Sequence, residues 1–222
     1  YYFAFEHVEG ETLAKRQERG RLAVEEGIDI LRQAAEGLRG IHQHKIVHGD
    51  VKPANLWLGR DSRNQLVVKL SLIDLAVTGS EAMVSVYGEL VGTPKYMSPE
   101  QIEGRHVGAR SDIFSLGIVA YEMFGGREPF RVQSQLGYLR ANCEREATPL
   151  AALDTSIPIE VSAVVQKMME REPTRRYRNC QSLLDDLDRV ESRMAGDLSE
   201  VVPAGADSAF AAEHPAIAPP AS

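Results

Sequence analysis

The chain has 222 residues, 43% hydrophobic and 26% charged, the make-up of an ordinary soluble protein with length enough for one good core or for one lobe plus tails. A formal net charge of -7 argues against a nucleic-acid-binding surface as its main business, and there is no run of about 18 apolar residues to span a membrane. The two cysteines, Cys143 and Cys180, have neither disulfide-framework nor zinc spacing. They read as reduced thiols, and with no basic-then-apolar leader the expected location is cytoplasmic.

The sequence opens on Tyr1 rather than a methionine, as a processed or partial product would. Residues 1–8 are an aromatic and apolar run that reads as a strand, broken by Glu9-Gly10-Glu11. Residues 12–19 open a short polar helix. Leu22, Ile28, Leu31, Ala34, Ala35, Leu38 and Ile41 then recur at the spacing of an amphipathic helix. His42 and His44 close it. With no further Cys or His nearby they read as helix-end residues rather than a zinc pair.

Next comes a loop, marked by Gly49 and Pro53, that gathers the carboxylate of Asp50, the amine of Lys52 and the amide of Asn55. Residues 56–58 and 67–73 read as strands, with a polar turn over 59–65. The loop and Asp74 therefore flank one hairpin, which predicts that they meet in space. Residues 76–91 are small and polar with little periodicity. Residues 113–124 are apolar on nearly every face, as in a helix buried on all sides, with Ser111 as N-cap and Gly125-Gly126 as stop.

A helix is expected within 135–143. Two later stripes, Val161, Val164, Val165, Met168 and Leu183, Leu184, Leu187, Val190, predict two more helices, with Met168 and Met169 as core filler. From Gly196 the composition shifts to Ala, Pro, Gly and Ser, and residues 201–222 read as linker or disordered tail.

Several of these stretches form an ordered set. His48-Gly49-Asp50 with Lys52 and Asn55 resembles the catalytic loop of protein kinases, whose pattern is His-Arg-Asp and a later Asn. Asp74-Leu75-Ala76 sits where the family has its metal-binding Asp-Phe-Gly. Residues 92–100, ending in Ser98-Pro99-Glu100, resemble the end of the activation loop. Ser111-Asp112-Ile113-Phe114 resembles the start of the central buried helix, and Arg176, after Pro173, falls where the family has a late arginine. The resemblance covers roughly residues 1–193 and is to the serine/threonine type.

It implies an α+β, mostly α-helical fold: residues 1–9 the last small-lobe strand and hinge, 10–195 the large C-terminal lobe, 196–222 a tail. The implied activity is transfer of the ATP γ-phosphate, with Mg2+, to a Ser/Thr hydroxyl of a protein substrate, with no nucleic acid, no membrane segment and no particular oligomeric state implied.

Such transfer needs the phosphates held, the charge neutralised and the hydroxyl aimed. By resemblance, Asp50 would orient the hydroxyl and take its proton, Lys52 would place positive charge at the transferred phosphate, and Asn55 and Asp74 would supply oxygens to magnesium. Glu6, His7 and Val8 would offer backbone groups to adenine, with Phe5 behind them and Trp57 as the floor. Thr93 would bond to the catalytic loop, Asp112 would accept from its backbone, His48 would be structural, and Glu100 would pair with Arg176.

The chain departs from the family at Gly49, which replaces an arginine that contacts a phosphorylated activation loop, so this contact is expected not to act as the switch. It departs again at Leu75-Ala76, where alanine replaces a glycine. No Gly-rich loop or strand lysine lies within the sequence, so the chain alone is expected to be nearly inactive. Two rivals remain: a pseudokinase or scaffold, favoured by Gly49 and Ala76, and a small-molecule phosphotransferase, disfavoured by residues 93–100.

Overall fold

The computed structural model describes residues 9–71 and 93–200. Strand β1 (Gly10–Thr12) is followed at once by helix α1 (Leu13–Gln17), then the long α2 (Val24–Gln43). A 3-10 turn (Pro53–Asn55) leads into the hairpin β2 (Leu56–Arg60) and β3 (Leu66–Leu70). A second 3-10 turn (Pro94–Tyr96) precedes α3 (Pro99–Ile102) and α4 (Ala109–Gly125). Further helices follow: α5 (Gln135–Glu144), α6 (Leu150–Leu153), α7 (Ile159–Met168), a 3-10 turn (Pro173–Arg175) and α8 (Cys180–Glu200).

The three strands form one antiparallel sheet in the order β1-β2-β3, with Glu11 opposite Leu58 and Leu58 opposite Val68. The strand expected over residues 1–8 lies outside the described residues, and Gly10 and Glu11, which read as its break, belong to β1. A Cβ at Gly10 would sit 1.9 Å from the Leu58 carbonyl oxygen, so the close approach of β1 to β2 requires glycine. The hairpin turn is built on Asp61, whose Oδ1 accepts from the N–H of Arg63 and of Gln65, each at 2.8 Å. On the free edge of β3 the Gln33 amide takes the place of a further strand. It accepts from Val68 N–H at 2.9 Å and donates to Leu66 O at 3.1 Å.

Helix α2 presents Ile28, Ile30, Leu31, Ala34, Ala35 and Leu38 to the core, all at most 2% exposed. Its neighbours are β3, α4 and α8. Helix α4 is buried from Ser111 to Phe124 and closes at Gly126, whose φ of +63° gives the left-handed cap that stops a helix. Ser111 is not its N-cap, however. The helix begins two residues earlier, at Ala109, and the Ser111 hydroxyl accepts from Gly108 N–H at 3.2 Å from inside the first turn. Helix α4 sits close to its neighbours because a glycine stands at each contact, Gly27 on α2 and its own Gly117 against α7. A Cβ at Gly27 of α2 would be 2.4 Å from the Phe124 ring, and one at Gly117 would be 2.8 Å from Met168 Cβ of α7. Met168 itself is fully buried, as core filler should be. Helix α8 starts at an Asn179 cap, whose Oδ1 accepts from Ser182 N–H at 2.9 Å, and it runs to Glu200, past the compositional shift at Gly196. Each such buried leucine, isoleucine or phenylalanine contributes about 1.5–3 kcal/mol, so the α2–α4–α8 seam is a rigid floor for the loop above it.

Candidate active site

The loop between α2 and the Pro53–Asn55 turn rests on one carboxylate. Asp112, in the first turn of α4 and 1% exposed, accepts from the backbone N–H of His48 (Oδ2, 2.9 Å) and of Gly49 (Oδ1, 2.8 Å). His42, in the last turn of α2, contacts the same Oδ2 through Nε2 at 2.7 Å. Charge-assisted bonds of this kind are roughly twice as strong as neutral ones, which suits a loop that must not drift. Gly49 has φ +75°, and its carbonyl accepts from Gln101 Nε2 at 2.9 Å. Gln101 also accepts from Ser98 N–H at 2.9 Å in a capping box on α3, so one side chain ties the loop to that short helix.

His48 has a determined tautomer. Nε2 lies 3.0 Å from Ser71 O, which can only accept, so Nε2 carries the hydrogen. Nδ1 then accepts from Asp50 N–H at 3.3 Å. Ser71 N–H in turn donates to Asn55 O at 2.9 Å. The end of the hairpin is thereby tied to both ends of the loop.

Asp50, Lys52 and Asn55 converge. Asn55 Nδ2 donates to Asp50 O at 2.9 Å and to Asp50 Oδ2 at 3.0 Å, and Lys52 Nζ lies 2.5 Å from the same Oδ2. Lys52 Nζ also donates to Thr93 Oγ1 at 3.2 Å. Among the described residues nothing donates to Asp50 Oδ1 or to Asn55 Oδ1. One carboxylate oxygen is thus fixed by two donors while the other is open, and the Asn55 amide is oriented nitrogen-inward. This arrangement can hold a hydroxyl, receive a proton and offer an amide oxygen to a hard cation. Trp57 stands on the face of β2 opposite the buried Leu56 and Leu58, half-buried between Thr12 and Lys69 on the flanking strands.

Thr93 opens a ledge that is clamped from below. Ser115 Oγ of α4 donates to Tyr96 O at 2.7 Å, and Asn142 Nδ2 of α5 donates to the carbonyls of Pro94, Lys95 and Met97 at 3.2, 3.2 and 2.8 Å. Lys95 Nζ bridges Glu122 (2.5 Å) and Glu128 (2.8 Å), while Tyr96 OH donates to Glu122 at 2.9 Å. Burial alone would favour the neutral amine of Lys95, but the two carboxylates outweigh it and hold the ammonium above its usual range. At the end of the ledge Glu100 meets Arg176 in a buried, two-pronged pair.

Glu6, Val8 and Asp74 lie outside the described residues, as do His7, Phe5 and Leu75-Ala76. Of the remaining expected site residues, Asp50, Lys52, Asn55 and Thr93 form one cluster. His48 and Asp112 support it from beneath, and Glu100 and Arg176 stand at the far end of the ledge. Sequence reasoning missed His42, Gln101, Asn142 and the Lys95–Glu122–Glu128 cluster. Only Gln101 carried a local signal, the Ser98-x-x-Gln101 capping pattern. Among the described residues no group of His, Cys, Asp and Glu could hold a metal on its own. None of the described helices is long and apolar enough to cross a membrane.

The model of the family described as protein kinase domain matches residues 1–186. Serine/threonine-protein kinase PknB of Mycolicibacterium smegmatis is 32% identical over 216 residues, 97% of this chain and 34% of that protein. Serine/threonine-protein kinase PknA of Corynebacterium glutamicum is 36% identical over 177 residues, 79% of this chain and 36% of that protein. The chain thus spans about a third of the length of these curated relatives. The solved PknI kinase domain of Mycobacterium tuberculosis is similar in fold, with a TM-score of 0.64 over 83% of this chain and 64% of its own at 21% identity.

Proposed function

This chain belongs to the protein kinase domain family, and on that premise we propose that it forms the hinge and large lobe of a protein serine/threonine kinase. Residues 1–9 would be the last small-lobe strand and hinge, and residues 10–195 the lobe. The reaction is attack of a substrate serine or threonine oxygen on the γ-phosphorus of ATP. The new O–P bond forms as the bond to the ADP oxygen breaks, and the hydroxyl proton passes to Asp50.

The observation that carries this reading is the state of Asp50. Its Oδ2 is fixed by Asn55 and Lys52, and among the described residues nothing donates to its Oδ1. A base must lie within about 2.6–3.2 Å of the proton it takes, and a carboxylate held by two donors on a loop pinned to Asp112 can keep that geometry. Lys52 is shared between Asp50 and Thr93, a position from which it can turn to the transferred phosphoryl oxygens. The chemistry of Asn55 fits magnesium, since its nitrogen is spent on Asp50 and its amide oxygen has no donor among the described residues. Asp74 would be the second ligand. It lies outside the described residues, three beyond Ser71, which is itself bonded to Asn55 O. Magnesium, when bound, neutralises phosphate charge that would repel the attacking oxygen.

The protein acceptor is supported by the ledge from Thr93 to Glu100, held by Ser115, Asn142 and Gln101. A cytoplasmic setting, where ATP is found, agrees with the free thiols of Cys143 and Cys180. A rival reading, a scaffold that keeps the fold without turnover, rests on Gly49 in place of the family's arginine. Radiolabelled ATP assays on this chain and on the protein extended upstream, with Asp50→Ala as control, separate the two. The extended protein is expected to phosphorylate itself or a generic protein substrate. Silence equal to the Asp50→Ala control would establish the scaffold.

A further inference from the structure

The ends of three helices meet beneath the loop: His42 at the end of α2, Asp112 at the start of α4, and Cys180 at the start of α8. We propose that Cys180 is a positioning residue, whose thiol donates to His42 Nδ1 and so holds the imidazole in place with Nε2 toward Asp112, the carboxylate on which the loop hangs. The consequence for turnover rests on the kinase reading above, but the hydrogen-bond chain itself does not.

The argument runs from the carboxylate outward. His42 Nε2 is 2.7 Å from Asp112 Oδ2, and a carboxylate oxygen only accepts, so Nε2 bears the hydrogen. Asp112 then accepts three N–H groups, from His42, His48 and Gly49. On the other side of the ring, Cys180 Sγ lies 3.5 Å from Nδ1. Burial, with the Asp112 charge adding to it, pushes the Cys180 thiol up to about 12, so sulfur keeps its hydrogen near neutral pH and has one to give. A lone pair at Nδ1 is its natural acceptor.

Cys180 is 1% exposed and the His42 side chain 11%, so water is a poor substitute for the thiol. Helix α8 cannot drift away, because the Asn179 cap and fully buried Leu183 hold its first turn. Take the S–H away and Nδ1 loses its donor, leaving Asp112 alone to hold the ring, which is then freer to turn over. Turning over removes an N–H from Asp112 and loosens its hold on the two loop amides. Ligands oriented through an outer shell behave in this way in metal sites.

The test uses this chain labelled with 15N, as wild type, Cys180→Ala and Cys180→Ser. Long-range proton–nitrogen spectra report which nitrogen of His42 carries hydrogen. Wild type is expected to show Nε2 protonated and Nδ1 bare. Cys180→Ala should shift and broaden the His42 ring nitrogen signals as the ring samples a second orientation, and speed amide exchange at His48 and Gly49 about fivefold, the factor a single net hydrogen bond represents. Cys180→Ser, which restores a donor, should return both toward wild type. A hydrogen on Nδ1 in wild type would overturn the proposal, and so would a serine variant no better than alanine or an alanine variant with unchanged spectra and exchange. These readouts need no turnover, so their failure leaves the kinase reading intact. In the upstream-extended protein, Cys180→Ala should lower kcat by a similar factor with KM for ATP unchanged. An unaltered kcat beside altered spectra would refute the positioning role.

Discussion

Arg176 and Glu100, 76 positions apart in the chain, are joined so completely that no guanidinium hydrogen is left over. Nη1 and Nη2 each reach one oxygen of Glu100, at 2.6 and 2.8 Å. The three remaining N–H groups go to the carbonyls of Glu170, Arg110 and Arg171 at 2.6, 2.9 and 2.9 Å. Ser111 Oγ donates to Glu100 at 2.6 Å, and the guanidinium lies 4.8 Å from the centre of the Phe114 ring. One arginine thus locks the end of the ledge, the start of α4 and the chain before α8.

Truncating it leaves the buried Glu100 carboxylate without its cation and with Ser111 as its one named side-chain donor, and takes a donor from each of three carbonyls. Arg176→Met should cost about 3–5 kcal/mol, a fall in Tm on the order of 10 °C for a chain of this size. Arg176→Lys should recover only part of this, because an ammonium cannot match the fork. Adding Glu100→Gln to Arg176→Met should recover more, since no unpaired charge then remains. Thermal unfolding followed by circular dichroism decides. An Arg176→Met variant that melts with wild type would remove this pair from the account of stability.

The same pair sets a response to acid. Burial pushes the Glu100 carboxyl up, but the Arg176 bonds outweigh it, helped by Ser111, and the net displacement is below the ordinary 4.5. A carboxyl depressed in the folded state contributes stability that is fully present above its unfolded value and is lost as pH falls through the folded one. Wild type should therefore lose urea resistance as pH drops below about 4.5. In Arg176→Met the burial effect is opposed only by Ser111 and the backbone, so the loss of stability in acid should shrink or reverse at this site. The gap between the two urea midpoints should narrow on acidification. A gap constant from pH 7 to pH 3.5 would show that Glu100 is not the titrating group.

What the sequence discloses here are features that local chemistry determines. The unbroken apolar stretch of α4 could only be an all-round buried helix, and Gly49 and Pro53 mark the loop before any neighbour is known. Features made by distant partners stay hidden. Asn142 looks like any polar helical residue until three carbonyls from the 94–97 segment arrive above it. His42 looks like a helix-end histidine until Asp112, 70 positions later, comes within reach. Gly10 shows no local reason for being glycine, because that reason is Leu58 O on another strand. In each case the decisive atom belongs to an element that sequence proximity does not supply.

Asn142 makes this concrete. It is 1% exposed, and its amide nitrogen faces the carbonyls of Pro94, Lys95 and Met97. Asn142→Ala strands these acceptors and should cost about 1–3 kcal/mol. Asn142→Asp, nearly isosteric, should cost more, because it presents carboxylate oxygens to carbonyl oxygens in a buried site. Urea unfolding gives the order, and limited proteolysis should show earlier cutting near residues 94–97. An aspartate variant as stable as alanine would mean that water, not the side chain, satisfies the ledge.

Two glycine substitutions of identical size should fail for different reasons. At Gly49 the φ is +75°, and a Cβ would meet nothing within 4 Å among the described residues, so backbone strain is what opposes alanine there. That strain is about 1 kcal/mol, and the Asp112 and Gln101 bonds to the Gly49 backbone can persist. At Gly10 the added carbon would lie 1.9 Å from Leu58 O, so β1 must move away from β2. Gly10→Ala should therefore raise amide exchange along residues 10–12 and 57–59 while leaving the loop protected. Gly49→Ala should lower global stability slightly without a local opening of the sheet. Hydrogen exchange resolved by residue separates the two patterns. Equal local opening in both variants would show that the loop and sheet loosen as one unit, against the independent anchoring by Asp112 and by the β1–β2 pairing.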